Sequence, residues 1–195
     1  MLGSIPFGLI AARTRGVDLT RIGSGNIGTT NVYRALGLRI ALLVFILDVL
    51  KGLIATKVLP AVWTVEASPI DPRVIGGIAV IIGSVASVFM RFRGGKGVAT
   101  AVGVFLGLAP LATVICLGIW AVLVAVFKYV SVGSICGATA LPILMALISR
   151  SNPVADPAFY LAVIVAVVVI IRHKANIRRL LDGTEQQIGR LKENA

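Results

Sequence analysis

The stretch from Arg91 to Gly97 reads Arg-Phe-Arg-Gly-Gly-Lys-Gly and places three cations and three glycines between the apolar runs 74–90 and 98–110. Glycines let backbone N–H groups approach a ligand closely, and Lys96 and the arginines supply positive charge. The residues after Gly97 can begin a helix whose N-terminus favours an anion. The stretch therefore predicts an anion pocket at the edge of a membrane. The alternative is a basic turn that only anchors two transmembrane helices; the spacing of a Walker A loop is absent.

Two further polar stretches carry groups suited to binding a phosphate. Segment 23–34 begins Gly-Ser-Gly-Asn-Ile-Gly-Thr-Thr-Asn, could wrap a ligand with backbone N–H groups, and ends at Arg34. Arginine is better suited than lysine to a bidentate grip on phosphate. Segment 172–185 contains His173 and Asn176, which share one face if this part is helical. The alternatives are a flexible re-entrant loop for the former segment and a structural histidine for the latter.

The composition is that of an integral membrane protein. The chain has 195 residues, of which 57% are hydrophobic and only 14% charged, and its mean hydropathy is +0.98. A soluble domain has about 45–50% apolar and about 25% charged residues. The net charge of +11 lies in short loops between apolar runs, so membrane topology explains it better than nucleic-acid binding does. One histidine with Cys116 and Cys136 cannot form a Cys/His metal cluster, and no cleavable signal peptide is recognisable.

The apolar runs predict an all-α bundle of about seven transmembrane helices. The runs are 1–12, 40–59, 74–90, 98–110, 111–127, 132–148 and 158–171. The first run would be about 18 Å long as a helix, short of the ~30 Å hydrocarbon core, so it is a partial helix unless the chain lacks an upstream portion. The intervening loops include 13–39, 60–72 with Trp63 and Glu66, and 149–157. We find no internal repeat or domain boundary, which predicts a single domain over residues 1–195.

The loop charges predict the orientation of these helices. When the loops alternate between the two sides, fifteen of the nineteen cations share one side. These are Arg13, Arg15, Arg21, Arg34, Arg39, Arg91, Arg93, Lys96, Lys128, Arg172, Lys174, Arg178, Arg179, Arg190 and Lys192. The other side has Lys57, Arg73 and Arg150. Because cytoplasmic loops are enriched in Lys and Arg, we expect the N-terminus outside and the C-terminus in the cytoplasm, with all three polar stretches on the cytoplasmic side.

Few residues in this chain are placed to move protons. Asp48 and Lys51 lie within a predicted span, where charges are usually paired, and mutual neutralisation that braces the bundle is the preferred interpretation. Glu185 is expected to support the fold of the tail. We find no carboxylate pair on the cytoplasmic side with the spacing of a general acid and base. The sequence offers many groups that bind anions instead.

Four segments together closely resemble the bacterial membrane glycerol-3-phosphate acyltransferases that use acyl phosphate as the acyl donor. The segments are 3–8 (Gly-Ser-Ile-Pro-Phe-Gly), 23–31 followed by Arg34, 92–100, and 172–177 with His173 and Asn176. They run through nearly the whole chain in the family's order. The resemblance implies a seven-helix bundle with its N-terminus outside. It also implies a multi-pass protein of the bacterial cell (inner) membrane, with a single transmembrane acyltransferase domain and an active site that faces the cytoplasm.

The resemblance also implies a reaction. A fatty acyl group would move from acyl phosphate to the sn-1 hydroxyl of glycerol 3-phosphate, giving lysophosphatidic acid and phosphate in the first step of phospholipid synthesis. The implied partners are glycerol 3-phosphate, acyl phosphate, membrane lipids and, through a functional link, an enzyme that forms acyl phosphate. No cofactor or metal is implied, and the substrate's own phosphate takes the proton.

The resemblance assigns the site residue by residue. The implied catalytic residues are Ser24, Arg34, Lys96, His173 and Asn176. The implied substrate-binding residues are Gly94, Gly95, Gly97 and Ser134.

This chain departs from the family pattern at Ser84 and Ser87, where relatives usually carry histidine and proline. The main rival function is a small membrane transporter or flippase for anionic metabolites, which the Asp48–Lys51 pair would support. Another rival is a structural bundle that binds anionic lipid through its basic loops. The transporter predicts polar residues strung through the bilayer, whereas here they concentrate at one predicted face.

Overall fold

The chain is helical in every range that the structure describes. The computed structural model describes residues 1–62, 70–149, 152 and 155–189. Within these ranges no β-strand occurs, which confirms the all-α class. Some residues of the loop and charge predictions lie outside the described residues: Trp63, Glu66, Arg150, Arg190 and Lys192.

The described residues form α-helices joined by short connections. The helices are α1 (Phe7–Arg13), α2 (Thr29–Leu36), α3 (Leu38–Lys57), α4 (Leu59–Val62), α5 (Pro72–Val85), α6 (Val98–Leu108), α7 (Pro110–Phe127), α8 (Val130–Ile148), α9 (Pro157–Arg172) and α10 (Lys174–Leu181). Short 3₁₀ turns occur at Leu2–Ser4, Leu19–Arg21 and Val88–Met90. The chain divides into two compact units, Met1–Leu108 and Ala109–Ala195. The single domain over residues 1–195 stays a prediction.

In the first unit, α3 and α6 approach each other through small residues. A Cβ on Gly52 would collide with the carbonyl oxygen of Thr100, and one on Gly103 would collide with that of Val49. Glycines at such positions let the backbones of two membrane helices pack closely. This contact fixes α6, the helix that follows the glycine-lysine stretch, against the longest helix of the unit.

The two charges inside α3 form an ion pair. Lys51 Nζ lies 2.6 Å from Asp48 Oδ1, and the lysine side chain is 4% exposed. The pairing confirms the predicted mutual neutralisation.

At 20 residues, α3 is about 30 Å long, the thickness of a hydrocarbon core.

In the second unit, α7 packs on α8 and α8 packs on α9. A Cβ on Gly133 would stand 2.9 Å from the ring of Trp120, so the glycine provides the space that this indole fills. Helices α9 and α10 form a bent pair with an angle of 54° between them.

Several helical segments suit a bilayer. Within the described residues, three are long and apolar enough to cross a membrane: Pro72–Met90, Pro110–Phe127 and Val130–Ile148. The bent pair α9–α10 makes a fourth if it is counted as one span. These spans agree with the membrane class. The count of seven spanning helices and the orientation of the termini stay predictions.

The structure corrects two boundaries in the first unit. The run 1–12 is not one continuous helix: Ile5 is extended and Pro6 begins a new segment, because proline disfavours helical conformation in the residue before it. The predicted loop 13–39 contains α2, whose Asn31 and Val32 are buried. Asn31 and the β-branched residues of α2 are weak helix formers, so tertiary contacts made this helix where local propensity did not predict it.

Candidate active site

The glycine-lysine loop is held against the end of α5 by backbone hydrogen bonds. Gly94 N donates to Val85 O at 3.0 Å, and Gly95 N donates to Ser84 O at 3.1 Å. A Cβ on Gly94 would collide with both carbonyl oxygens, so the loop can follow this path only with glycine there.

The turn before this loop has an uncommon backbone. Arg91 and Phe92 have φ of 49° and 63°, a left-handed conformation that non-glycine residues adopt infrequently. Two hydrogen bonds support it, from Phe92 N to Ser87 O at 2.8 Å and from Arg93 N to Met90 O at 3.0 Å. Residues held in such conformations concentrate at functional sites. Half-buried Lys96 follows, and Gly97 with φ of 78° leads into α6.

A buried asparagine organises the loop at residues 19–31. Asn31 is 1% exposed, and its amide donates to Leu19 O at 3.1 Å and to Ile22 O at 2.9 Å. Its Oδ1 accepts a hydrogen bond from Ser24 N at 3.1 Å. One side chain on α2 therefore fixes the loop that carries Ser24. The motif 23–31 includes Asn31, but its residue types alone do not predict this role.

Ser24 and Arg34 both lie close to Asn31 and the loop that it holds. Ser24 is exposed, and Arg34 lies half-buried in the last turn of α2. Arg34 Cδ is 3.5 Å from the place where a Cβ on Gly23 would stand, so the guanidinium stem passes beside the loop. Thr29 Oγ1, at the start of α2, is buried and has no hydrogen-bond partner among the described residues.

The first unit brings two of the predicted motifs into contact. A Cβ on Gly95 would lie 3.9 Å from Asn26 Oδ1 and 4.0 Å from Ile27 Cγ1, which is ordinary van der Waals distance. The glycine-lysine loop and the 19–31 loop thus meet at these residues. The loops that carry Ser24 and Lys96 are neighbours, as a shared anion site requires.

In the second unit, polar side chains converge on Glu185. Its Oε1 accepts hydrogen bonds from Ser131 Oγ at 2.9 Å and from Asn176 Nδ2 at 2.6 Å. Its Oε2 accepts one from Arg179 Nε at 2.7 Å. Because Asn176 donates to a carboxylate, the orientation of its amide is fixed. Ser134 is buried in the same helix as Ser131.

These contacts set the charge of Glu185. Burial raises the pKa of the carboxyl group, but the hydrogen bonds from Asn176, Arg179 and Ser131, with the positive charge of Arg179, outweigh it and hold the pKa below its ordinary value. Glu185 is therefore ionised at neutral pH and acts as an acceptor that positions its neighbours. This agrees with the predicted supporting role.

His173 lies at the junction of α9 and α10 rather than inside one continuous helix. The ring is 3% exposed, and Nδ1 lies 2.8 Å from the carbonyl oxygen of Val169. A carbonyl can only accept, so Nδ1 carries a proton and donates this hydrogen bond. Asn176 follows in α10. That His173, Asn176 and Ser134 share one pocket with the loops of the first unit stays a prediction.

Comparison with known proteins gives consistent matches over nearly the whole chain. A family model described as glycerol-3-phosphate acyltransferase matches residues 1–183. The glycerol-3-phosphate acyltransferase of Geotalea daltonii is 44% identical over 190 residues, covering 95% of this chain and 91% of that protein. The one of Geobacter sulfurreducens is 43% identical over 188 residues, covering 96% and 92%. The chain belongs to the glycerol-3-phosphate acyltransferase family.

Solved structures agree with this assignment. The crystal structure of PlsY (YgiH), an integral membrane glycerol 3-phosphate acyltransferase, in its glycerol 3-phosphate form is similar with a TM-score of 0.86 and 36% identity, covering 97% of this chain and 91% of that one. Its lysophosphatidic acid form gives a TM-score of 0.83 and 35% identity. With the apolar helices described above, these neighbours identify this acyltransferase as a membrane protein of lipid biosynthesis.

The two serines that depart from the usual family pattern both make hydrogen bonds in this acyltransferase. Ser84 Oγ lies 2.9 Å from Thr100 Oγ1, which joins the end of α5 to α6. Ser87 is buried, and its Oγ donates to the carbonyl oxygen of Ser4 at 2.6 Å. Each hydroxyl therefore contributes to the framework around the glycine-lysine loop.

Proposed function

We propose that this protein transfers a fatty acyl group from acyl phosphate to the sn-1 hydroxyl of glycerol 3-phosphate, releasing lysophosphatidic acid and inorganic phosphate. The observation that carries the proposal is the closeness of Gly95 to Asn26 and Ile27, because it places the loops of Lys96 and Ser24 side by side. Two neighbouring loops rich in backbone N–H groups and cations suit a reaction in which both substrates carry a phosphate. The similar PlsY structures have glycerol 3-phosphate and lysophosphatidic acid forms, which supports this substrate and product.

We assign the phosphate-binding roles to the first unit. Arg34 and Lys96 neutralise phosphate oxygens, and Ser24 donates a hydrogen bond from its exposed hydroxyl. The backbone of Gly94, Gly95 and Gly97 shapes the loop around the ligand.

We assign Ser134, His173 and Asn176 of the second unit to the polar part of the site. Both His173 and Asn176 are held rigidly, by Val169 O and by Glu185 respectively. Such preorganised groups stabilise developing charge without rearranging during the reaction.

The proposed chemistry is a direct acyl transfer. The sn-1 hydroxyl oxygen forms a bond to the acyl carbonyl carbon, and the bond from that carbon to the phosphate oxygen breaks. Inorganic phosphate leaves, and the hydroxyl proton passes to a phosphate oxygen of the substrate. Because an acyl phosphate is a mixed anhydride with a good leaving group, positioning and charge stabilisation are enough and no acyl-enzyme is needed.

We place the enzyme in the bacterial cell (inner) membrane as a multi-pass protein with its active site on the cytoplasmic side. The positive loops that carry the site support this orientation. An enzyme that forms acyl phosphate then supplies the donor from the same side. Labelling of single cysteines introduced at Arg15 and Arg73 in intact cells tests the orientation, which predicts reagent access at the Arg73 position only.

The donor is tested with purified protein in detergent or lipid. We expect palmitoyl phosphate and glycerol 3-phosphate to give equal amounts of phosphate and lysophosphatidate, with the acyl group on the sn-1 oxygen by NMR. Arg34→Ala is expected to lower kcat/KM by about 100-fold, since it removes a charged phosphate ligand. The matched control is Arg39→Ala, an exposed arginine at the start of α3, which should retain activity.

Two outcomes would contradict parts of this proposal. Turnover with palmitoyl-CoA but not with palmitoyl phosphate would keep the reaction and overturn the donor. If His173→Ala abolished turnover while both substrates still bound, a histidine base would replace the substrate phosphate as proton acceptor.

The transporter alternative loses its main support in the structure. Its argument rested on the Asp48–Lys51 pair and on the many glycines in apolar segments, but Lys51 bonds Asp48 and also donates to the carbonyl oxygen of Ile5 at 3.4 Å, and Gly52 and Gly103 lie where α3 and α6 pack closely. These charges serve packing within the first unit.

A further inference from the structure

A short segment near the N-terminus lies outside the two loops and contacts residues that hold both of them in place. This N-terminal segment, residues 3–8, packs against α5. A Cβ on Gly3 would collide with the carbonyl oxygen of Val80, and one on Gly83 would stand 3.0 Å from the Gly3 carbonyl carbon and from Ser4 N. Ser4 is 4% exposed. The segment is therefore a buried part of the first unit, although it is not a spanning helix.

Two successive carbonyl groups of the N-terminal segment accept hydrogen bonds from buried side chains. Ser87 Oγ donates to Ser4 O at 2.6 Å, and Lys51 Nζ donates to Ile5 O at 3.4 Å. Ser87 is 2% exposed and Lys51 is 4% exposed. Ser4 ends the 3₁₀ turn Leu2–Ser4 and Ile5 is extended before Pro6, so the helix that begins at Phe7 does not satisfy their carbonyls.

Ser87 connects the N-terminal segment to the glycine-lysine loop. The same residue accepts hydrogen bonds at its carbonyl oxygen from Met90 N at 3.1 Å and from Phe92 N at 2.8 Å. These bonds set the left-handed turn that delivers the chain to Gly94. A displacement of Ser87 would therefore shift the start of the loop that carries Lys96.

The opposite end of the N-terminal segment contacts the 19–31 loop. A Cβ on Gly8 would collide with the carbonyl oxygen of Ile27 and would lie 3.1 Å from Val32 Cγ2. Ile27 is also the residue that meets Gly95. The segment thus touches one loop directly and supports the other through Ser87.

Lys51 is oriented toward this segment by its partners. Asp48 lies 2.6 Å away, and the ammonium stands 5.8 Å from the centroid of the Phe7 ring, within cation–π distance. The carboxylate neutralises the buried charge, and the ammonium also donates to the backbone carbonyl of Ile5. The pair therefore does more than brace α3.

We propose that Ser87 and Lys51 are positioning residues for the acyltransferase reaction, which set the relative placement of the two phosphate-binding loops by holding the carbonyls of Ser4 and Ile5. The inference rests on the proposed function of these loops. Neither side chain touches substrate. Their effect is on the distance between the two bound phosphates, and a misplacement of about 1 Å is enough to cost up to 100-fold in rate.

The sharpest test is Ser87→Ala, which removes one hydroxyl and little volume. We expect kcat/KM for glycerol 3-phosphate and for palmitoyl phosphate to fall by roughly tenfold or more. We also expect calorimetry to show weaker binding of glycerol 3-phosphate. Thr113→Val is the matched control, because Thr113 is buried and donates to Ala109 O at 2.8 Å within the second unit. It should keep wild-type KM, kcat and binding.

A second variant tests Lys51 without leaving a buried charge unpaired. The double replacement Asp48→Asn with Lys51→Met should lower kcat/KM for both substrates in the same way. Combined with Ser87→Ala, it should have a less than multiplicative effect, because both changes act through one segment.

The outcomes separate this inference from the proposed function. If wild-type protein turns over palmitoyl phosphate and Ser87→Ala matches it in KM, kcat and binding, the positioning role is overturned while the function holds. A lower melting temperature with unchanged KM and kcat would also overturn it, because the role would then be structural only. If wild-type protein shows no turnover, the proposed function fails. Weaker binding of glycerol 3-phosphate by Ser87→Ala than by wild type would still support the positioning role of Ser87. Equal binding of glycerol 3-phosphate by the two proteins, or no binding by either, overturns the positioning role.

Discussion

The two units prepare their polar groups by different means. In the first unit the glycine-lysine loop is shaped by the backbone, because Gly94 and Gly95 donate to the end of α5 and a Cβ on Gly94 would collide with carbonyl oxygens there. In the second unit a single carboxylate, Glu185, collects Ser131, Asn176 and Arg179. The glycine-lysine loop depends on the absence of side chains at its glycines, whereas the polar cluster of the second unit depends on the charge of one side chain, Glu185.

This difference predicts which kind of substitution should disrupt each region. Adding a carbon to the first unit forces backbone to move, because the colliding atoms are carbonyl oxygens that have no rotamer to change. Altering the charge in the second unit leaves the volume intact but removes the acceptor that fixes Asn176. We therefore expect steric sensitivity in one unit and sensitivity to protonation in the other.

The largest effect is expected from Gly94→Ala. Its Cβ would collide with the carbonyl oxygens of Ser84 and Val85, so the loop must leave its path and Lys96 must move with it. We expect kcat/KM to fall by about 100-fold or more. Gly118→Ala is the control, since a Cβ there meets nothing within 4 Å. Wild-type activity in Gly94→Ala would contradict the backbone-built description of this loop.

A smaller effect on activity but a clear effect on stability is expected from Glu185→Gln. The change keeps the shape, removes the charge that pairs with Arg179 and weakens the acceptor for Asn176. A lost partner of this kind costs about 1–3 kcal/mol, which a melting curve in detergent would show. The control is Asp182→Asn, because the Arg178–Asp182 pair is exposed and its atoms are 3.9 Å apart. Exposed pairs contribute about 0–1 kcal/mol.

Acid pH should reproduce this result in the wild-type protein. The pKa of Glu185 is lower in the folded protein than in the unfolded chain, so its contribution is complete above the ordinary carboxylate range. It is lost as pH falls below the ordinary carboxylate range and through the lower folded pKa. Melting temperatures from pH 7 to pH 3 should fall less in Glu185→Gln than in wild type. Parallel curves would show that Glu185 is not the group responsible.

The smallest effects are expected from the aspartates that cap the N-terminus of a helix in each unit. Asp71 begins α5 by accepting from Arg73 N at 2.8 Å, and Asp156 begins α9 by accepting from Ala158 N at 2.8 Å. Replacing either with alanine should cost about 1 kcal/mol of stability without changing KM. A marked loss of activity in only one of them would show that this helix start also places a site residue.

Prediction from sequence succeeded where the pattern is local. The glycine-lysine stretch proved to be a loop between α5 and α6, and the Asp48–Lys51 pair follows from spacing on one helix face. It failed at α2, where Thr29, Thr30 and Asn31 do not favour a helix and the hydrogen bonds of the buried Asn31 side chain to Leu19 O, Ile22 O and Ser24 N supply stabilisation. It also failed at Pro6, where the apolar run 1–12 is interrupted and does not form one continuous helix.

The sequence by itself determined the membrane class, the all-helical fold and the position of the glycine-lysine loop, because hydropathy, glycine and charge act over a few neighbouring residues. The family resemblance was carried by motifs of the same local kind. Only the tertiary structure decided that Gly95 meets Ile27, that Ser87 holds the carbonyl of Ser4, and that Asn176 is fixed by Glu185. These contacts join residues distant in the chain or depend on how a turn folds back, and no local periodicity encodes such distances.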